Sequence, residues 1–182
     1  MNKSCATPFG EWVNPKGYTT TKDHNETYLL FWSISVYQVH IPAVDPITFR
    51  ETNGAELRIT DLLSDDGSIP PFIWGVPGLS SNRFEYAYLF HDFMCKYGGL
   101  FVQGPSEETF HFRRMTRLDA DKLLVRMVGA DGGNWAARKA IYRGVRIGST
   151  WVRFPSIDYW DAHHMPVTGR LNPLGTPGIL TP

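Results

Sequence analysis

Neither sign of charge prevails in this chain: 18 lysines and arginines meet 18 aspartates and glutamates, for a formal net charge of zero. Nucleic acids and anionic membrane surfaces are held by an excess of cations, so the balance makes no electrostatic case for either partner. Cysteine is scarce. Cys5 and Cys95 lie far apart, which excludes a disulfide framework and a zinc ribbon. Cys95 reads as a small buried hydrophobe, and Cys5 as a free thiol or an intermolecular partner. Hydrophobic runs are short; none approaches the length of a membrane span, and Met1-Asn2-Lys3-Ser4 begins no apolar signal region. Internal repeats are missing too. These absences predict a soluble protein made in a reducing cytoplasm.

Aromatics, by contrast, are plentiful: 6 Trp, 8 Tyr and 11 Phe in 182 residues, within an apolar fraction of 42%. That is enough to bury one core, so the chain is expected to form a single compact domain with arms at its ends. Residues 1–25 are polar and without periodicity, which predicts an irregular N-terminal arm with Phe9, Trp12 and Tyr18 as docking points. The aromatic and β-branched run Tyr28 to Val39 predicts one long strand, or two broken near Trp32-Ser33. Ile47 to Arg50 and Glu56 to Thr60 are short strands joined through Asn53-Gly54, a strong hairpin signal. Leu100 to Gln103 and Thr109 to Arg114 flank Gly104-Pro105-Ser106 and suggest a further hairpin. From residue 151 the chain is rich in Pro, Gly and Trp, and residues 151–182 read as an extended C-terminal arm. The expected fold is α+β, a small antiparallel sheet beside a bundle of about three helices, with the compact domain at residues 26–150.

Three segments carry helical patterns. The first runs from Ser80 to Gly99: Ser81 or Asn82 caps its start and Gly98-Gly99 supplies a left-handed stop. Phe84, Ala87, Tyr88, His91, Met94 and Cys95 share one face, so an ionisable His91 lies on the stripe that should be buried, next to Asp92. The second begins at Thr116, with Asp119 three residues on in a capping-box arrangement, and ends near Gly129. Its apolar face gathers Leu118, Leu124, Val125 and Val128 together with Asp121, a carboxylate that is costly there unless paired. The third, Asn134 to Ile147, lines up Ala136, Ala137, Ala140, Ile141, Gly144, Val145 and Gly148 on one side. Arg138, Lys139, Arg143 and Arg146 fall on the other as a solvated surface.

Two helices thus each place one ionisable group where the core should be, and a mutual hydrogen bond between His91 and Asp121 satisfies both. Such a pair has two meanings. It is a structural clamp, or it is a general-base dyad in which Asp121 orients His91 to activate water. In the second case Asp92, turned to a groove edge with Asp66 or backbone carbonyls of the Ser64–Ser68 loop, can hold a hard cation such as Ca²⁺. His163-His164 reads as solvated polar sequence.

The order Thr60-Asp61, Asp66-Gly67-Ser68-Ile69-Pro70, Ala87 to His91-Asp92, Arg117 to Asp121, and Tyr142 to Val145-Arg146 and Gly148 resembles a phage and prophage domain-of-unknown-function family. Its signature is a D-G/A-S-I-P loop, an A-x-x-x-H-D helix, an R-x-x-A-D helix and a Y-x-x-V-R helix. The likeness spans residues 45–150. Phe93-Met94-Cys95 departs from the usual Trp-Leu-Tyr, and the Leu100–Arg114 hairpin lengthens the gap between two of the helices. The resemblance implies a phage context near tail and lysis modules, with Arg117, Ser68 and Pro70 as structural residues. The His91-Asp92 pair with a remote Asp121 is also similar to secretory phospholipases, in which the neighbouring Asp and loop carbonyls hold Ca²⁺; their dense disulfides are absent here.

Two functions are therefore expected. One is a virion structural component of a tail, neck or baseplate, made in the bacterial host cytoplasm and docked through its arms in a multi-subunit assembly. The other is a His/Asp-dyad hydrolase, Ca-dependent, acting on lipid or cell wall.

Overall fold

The computed structural model describes residues 7–13, 18–28, 32–42, 46–59, 62–64 and 83–151. In chain order the strands are β1 (Glu11–Val13), β2 (Thr19–Tyr28), β3 (Trp32–His40), β4 (Thr48–Arg50), β5 (Glu56–Arg58) and β6 (Leu62–Ser64). Helix α1 (Glu85–Tyr97), strands β7 (Gly99–Gln103) and β8 (His111–Arg114), and helices α2 (Arg117–Ala130) and α3 (Trp135–Trp151) follow. The fold is α+β. A five-stranded antiparallel sheet runs β1-β4-β5-β7-β8, and a second sheet of three strands runs β2-β3-β6.

Both hairpin signals correspond to paired strands. β4 and β5 meet across Asn53-Gly54, where Gly54 takes φ +86°, a conformation that costs a residue with a Cβ. The Asn53 side chain accepts from the Ala55 N–H at 2.9 Å and closes the turn. β7 and β8 pair with Phe101 opposite Phe112, whose rings lie 5.5 Å apart. The aromatic run from Tyr28 divides in two, with Tyr28 opposite Trp32 in the β2–β3 pair.

The N-terminal segment differs from its expectation. Residues 1–25 read as irregular, yet Glu11–Val13 is an edge strand of the main sheet and Thr19–Tyr28 a strand of the second. A strand of three residues is too short to display alternation; tertiary partners create it. Trp12 stands opposite Phe49 and packs its ring against Phe49, Tyr86 and Phe90 at 4.9–5.5 Å between centroids. Glu11 accepts from Arg50 at 2.8 Å, and Arg50 also donates to Glu56 at 2.9 Å. The expected arm at 151–182 lies outside the described residues beyond Trp151.

Helix α1 is the centre of the molecule. The stripe of Phe84, Ala87, Tyr88, His91 and Met94 is buried as expected while Cys95, expected inside with them, is half-buried; Leu89, Phe90 and Phe93 on the other side are buried too. A helix apolar all round lies between layers, and α1 packs against α2, β6 and β7. Fully burying each of these aromatic side chains contributes roughly 1.5–3 kcal/mol. The helix begins at Glu85, with Phe84 at its cap position and no side-chain cap, while Ser81 and Asn82 lie outside the described residues. Gly98 ends it at φ +69°, its N–H donating to the Met94 carbonyl at 2.9 Å.

Helix α2 starts as its cap predicts: the Thr116 hydroxyl oxygen accepts from the Asp119 N–H. Its buried face is turned slightly from the expected one. Ala120, Asp121, Leu123, Leu124, Met127, Val128 and Gly129 are inside, whereas Leu118 is exposed and Val125 half-buried. The close α1–α2 packing draws in Leu123 and Met127 at the expense of Leu118. On α3 the small face holds for Ile141, Gly144 and Val145, but Ala136 is exposed. No helix among the described residues is long and apolar enough to cross a membrane.

Candidate functional site

A single carboxylate draws the three helices together. Asp121, on the buried face of α2, is fully inaccessible to solvent. His91 reaches it from α1, its Nε2–H donating to Asp121 Oδ1 at 2.8 Å. Arg146 reaches it from α3, with Nη1 donating to Oδ2 at 3.1 Å. Arg117, one turn back on α2, holds its Nε 3.6 Å from Oδ1, an ion-pair separation rather than a hydrogen bond.

Helical spacing explains how each group arrives. Arg117 and Asp121 are four apart and stack on one side of α2. Cys95 is four residues after His91, and its Sγ lies 3.6 Å from Nε2 and 3.8 Å from Nδ1. The imidazole is therefore bounded by Asp121 and by sulfur, with only 3% of the residue exposed. The sequence pattern places Arg146 on the solvated outer face of α3. Its head is drawn inward because an enclosed carboxylate demands compensation that one imidazole only half supplies. Arg138, from the same supposed outer face, lies over the Phe9 ring at 4.3 Å.

The electrostatics follow from this enclosure. Burial disfavours the charged imidazole, but Cys95, the hydrogen bond to Asp121 and the nearby Asp92 outweigh it, and the His91 pKa is raised to about 10. Burial likewise opposes charge on Asp121; the hydrogen bond and charge of His91, then Arg146 and Arg117, hold its carboxyl below the usual range. The raised His91 pKa and the lowered Asp121 pKa both favour the ion pair over the neutral pair. A general base must be neutral to accept a proton. The upward shift of His91 works against that role.

The remaining site residues divide between described and undescribed positions. Asp92 is buried beside His91. Asp66, Ser68 and Pro70 lie outside the described residues. Ca²⁺ takes six to eight oxygen ligands as a rule, and no group of three or more His, Cys, Asp or Glu able to hold a metal occurs among the described residues.

A second polar node joins the sheet to the end of α2. Trp12 Nε1–H donates to Asp131 Oδ1 at 2.6 Å, and Arg83 donates to the Gly132 carbonyl at 3.1 Å. Burial pushes the Asp131 carboxyl up to about 6, against the lowering effects of Trp12 and Arg83. No periodicity flagged this contact. The signal available in the sequence was a lone Trp in a polar segment, which needs somewhere to bury its ring.

Compared with protein-family models, curated proteins and solved structures, the chain matches none.

The two nodes give the stability of the fold a definite pH profile. The folded pKa of His91 exceeds its usual 6.5, so its contribution is complete below about pH 6.5 and is lost as pH rises through about 10. The folded pKa of Asp121 lies under 3.8, so its contribution is present above that value and is lost as pH falls further. Asp131 has a raised pKa, so its contribution is complete below 3.8 and is lost as pH rises through about 6. Melting temperature measured from pH 3 to 11 is expected to fall between about pH 7 and 10, with that alkaline limb flattened in His91→Gln. Asp131→Asn is expected to remove the change between about pH 4 and 6 and leave the alkaline limb intact.

Proposed function

We propose that this protein is a structural component of a bacteriophage particle, in the tail, neck or baseplate, that holds neighbouring subunits rather than turning over a substrate. The observation that carries the non-catalytic part is the enclosure of His91 between Asp121 and Cys95, with Asp121 itself held from the other side by Arg146. A dyad meant to activate water leaves one imidazole nitrogen open to it. Here both nitrogens face protein groups, and the cluster ties α1, α2 and α3 into a rigid unit. The phage context rests on the ordered likeness of the loop and helix motifs. Because Glu11–Val13 is already built into the protein's own sheet, docking on neighbours falls to residues 151–182. Synthesis in the host cytoplasm and assembly into the virion complete the reading.

Its test has two arms. Purified virions of the encoding phage are expected to contain the chain at a fixed copy number, and particles made without it to be incomplete. The recombinant protein is expected to hydrolyse neither lipid nor peptidoglycan, with or without Ca²⁺. Turnover by the parent that disappears in His91→Ala would replace this reading with the hydrolase.

A further inference from the structure

Strand β3 is the middle strand of the second sheet, yet only part of it is covered. On one side it pairs with β2 along its whole length, from Trp32 opposite Tyr28 to His40 opposite Thr19. On the other side β6 pairs with Tyr37, Gln38 and Val39 alone. The edge from Trp32 to Val36 has no strand partner among the described residues. Between the His24–Val36 pair and the Tyr28–Trp32 pair the sheet is therefore a two-stranded ribbon. Such a ribbon is at best marginally stable in water, and a third strand is what ordinarily secures it.

The two edges of that ribbon are built differently. β2 carries Lys22, Asp23 and Glu26, and its register shifts between Lys22 and His24. Charges and a bulge are the usual devices that keep an edge from pairing with another chain. The free stretch of β3 has neither: it reads Trp-Ser-Ile-Ser-Val, without charge, proline or glycine. Its alternation is also turned away from the core. Val39 is buried and His40 exposed, so positions 33, 35 and 37 share the core side and 32, 34 and 36 the opposite one. The apolar positions Trp32, Ile34 and Val36 thus fall on the side away from the molecule's own core. By class the stretch reads the same in both directions from Ile34: serine, then an apolar residue.

We infer that the Trp32–Val36 edge of β3 pairs with the same edge of a second copy of this chain, antiparallel about a two-fold axis at Ile34. Its symmetry about Ile34 is what selects a second copy as the occupant, because a two-fold contact requires a self-complementary surface. An axis normal to the sheet keeps like faces together. Ile34 then stands opposite the second copy's Ile34, and Trp32 opposite its Val36, while serine meets serine on the other face. Aromatic and β-branched residues directly opposite each other are favourable cross-strand pairs. By register, Tyr28, Glu26 and His24 of β2 flank this apolar centre in each copy, and a polar rim round an apolar centre is ordinary interface anatomy. The joined sheet ends on both sides at the charged, bulged edge of β2, so association stops at two copies. A dimer of this kind is independent of the virion role proposed above.

The test uses the full chain in sedimentation equilibrium. The mass is expected to rise with concentration from 20.6 kDa to twice that value and to stop there. Ile34→Lys sets two like charges opposite each other only in the dimer. It is expected to raise the dimer dissociation constant at least about 10-fold, with the far-UV circular dichroism spectrum unchanged. Ile34→Cys supplies a second reading that needs no loss of association. Directly opposite residues lie about 4.5–5.5 Å apart between Cα atoms, within disulfide reach. Oxidation is therefore expected to join residue 34 of two chains, as identified by mass spectrometry of the linked peptides, whereas Thr27→Cys on β2 should form no such link. A chain that stays monomeric into the high micromolar range, a dimer indifferent to Ile34→Lys, or a dimer in which Ile34→Cys forms no link would each overturn the inference. So would a monomer whose binding to phosphatidylcholine vesicles is abolished by Ile34→Lys, since that outcome assigns the strand to a lipid surface.

Discussion

Asp121→Ala is expected to cost about 3–5 kcal/mol of unfolding free energy in urea denaturation at pH 7, the usual penalty for stranding one partner of a buried ion pair. The substitution takes the acceptor from His91 and from Arg146 together and leaves an imidazolium 3% exposed with no carboxylate bound to it. Arg146 can relax toward water, because its side chain is 41% exposed; His91 cannot. The loss should therefore shrink when His91 is made apolar as well. In a cycle with His91→Met and Asp121→Leu, the double variant is expected to recover most of the stability lost by Asp121→Leu alone, with a coupling of about 2–3 kcal/mol. Alanine at 121 costing no more than about 0.5 kcal/mol would show that the cluster does not hold the helices together.

Trp12→Ala is the second large effect, at about 3 kcal/mol, the lower end for deleting an indole because Trp12 is only half-buried. The ring covers Phe49, Tyr86 and Phe90 at once, so its loss opens the seam between β1 and α1. Trp12→Phe keeps a ring there and loses the hydrogen bond to Asp131, a change worth about 1 kcal/mol. The phenylalanine variant also removes a lowering influence on Asp131, so a carbon-detected NMR titration of that carboxyl should place its pKa above about 6. If Trp12→Ala unfolds at the same urea concentration as the parent, the N-terminal strand is a loose attachment and not part of the core.

These two residues mark where the sequence was readable and where it was not. The pairing of His91 with Asp121 is legible because each lies on a stripe of apolar residues, and one enclosed ionisable group calls for another. Helix periodicity carries that much. It does not carry the third helix's rotation: Arg146 lies among other basic residues in a pattern that reads as solvent-facing, and only the charge deficit at Asp121 argues for its turning inward. Leu118 was placed inside by spacing alone, yet the α2 face is set by where α1 lies, so Leu118 ends exposed and Leu123 buried. Hairpins at Asn53-Gly54 and Gly104-Pro105 were legible because their turns are local. Trp12 is legible as a docking residue, but its partners are not, since they lie 37 to 119 residues away and a three-residue strand has no pattern of its own.

That last separation has a consequence for how the chain acquires its shape during synthesis. Trp12 and Asp131 are 119 positions apart. At roughly 5–20 residues added per second, on the order of 6–24 s pass between their emergence from the ribosome. Phe49, Tyr86 and Phe90 arrive earlier, so the indole can settle onto nascent β4 and α1 before its polar end finds a partner. The bond to Asp131 then closes late, fastening the first strand to the second helix once that helix is complete. A contact spanning most of the described chain thus closes late, with only α3 still to bring Arg146 to Asp121.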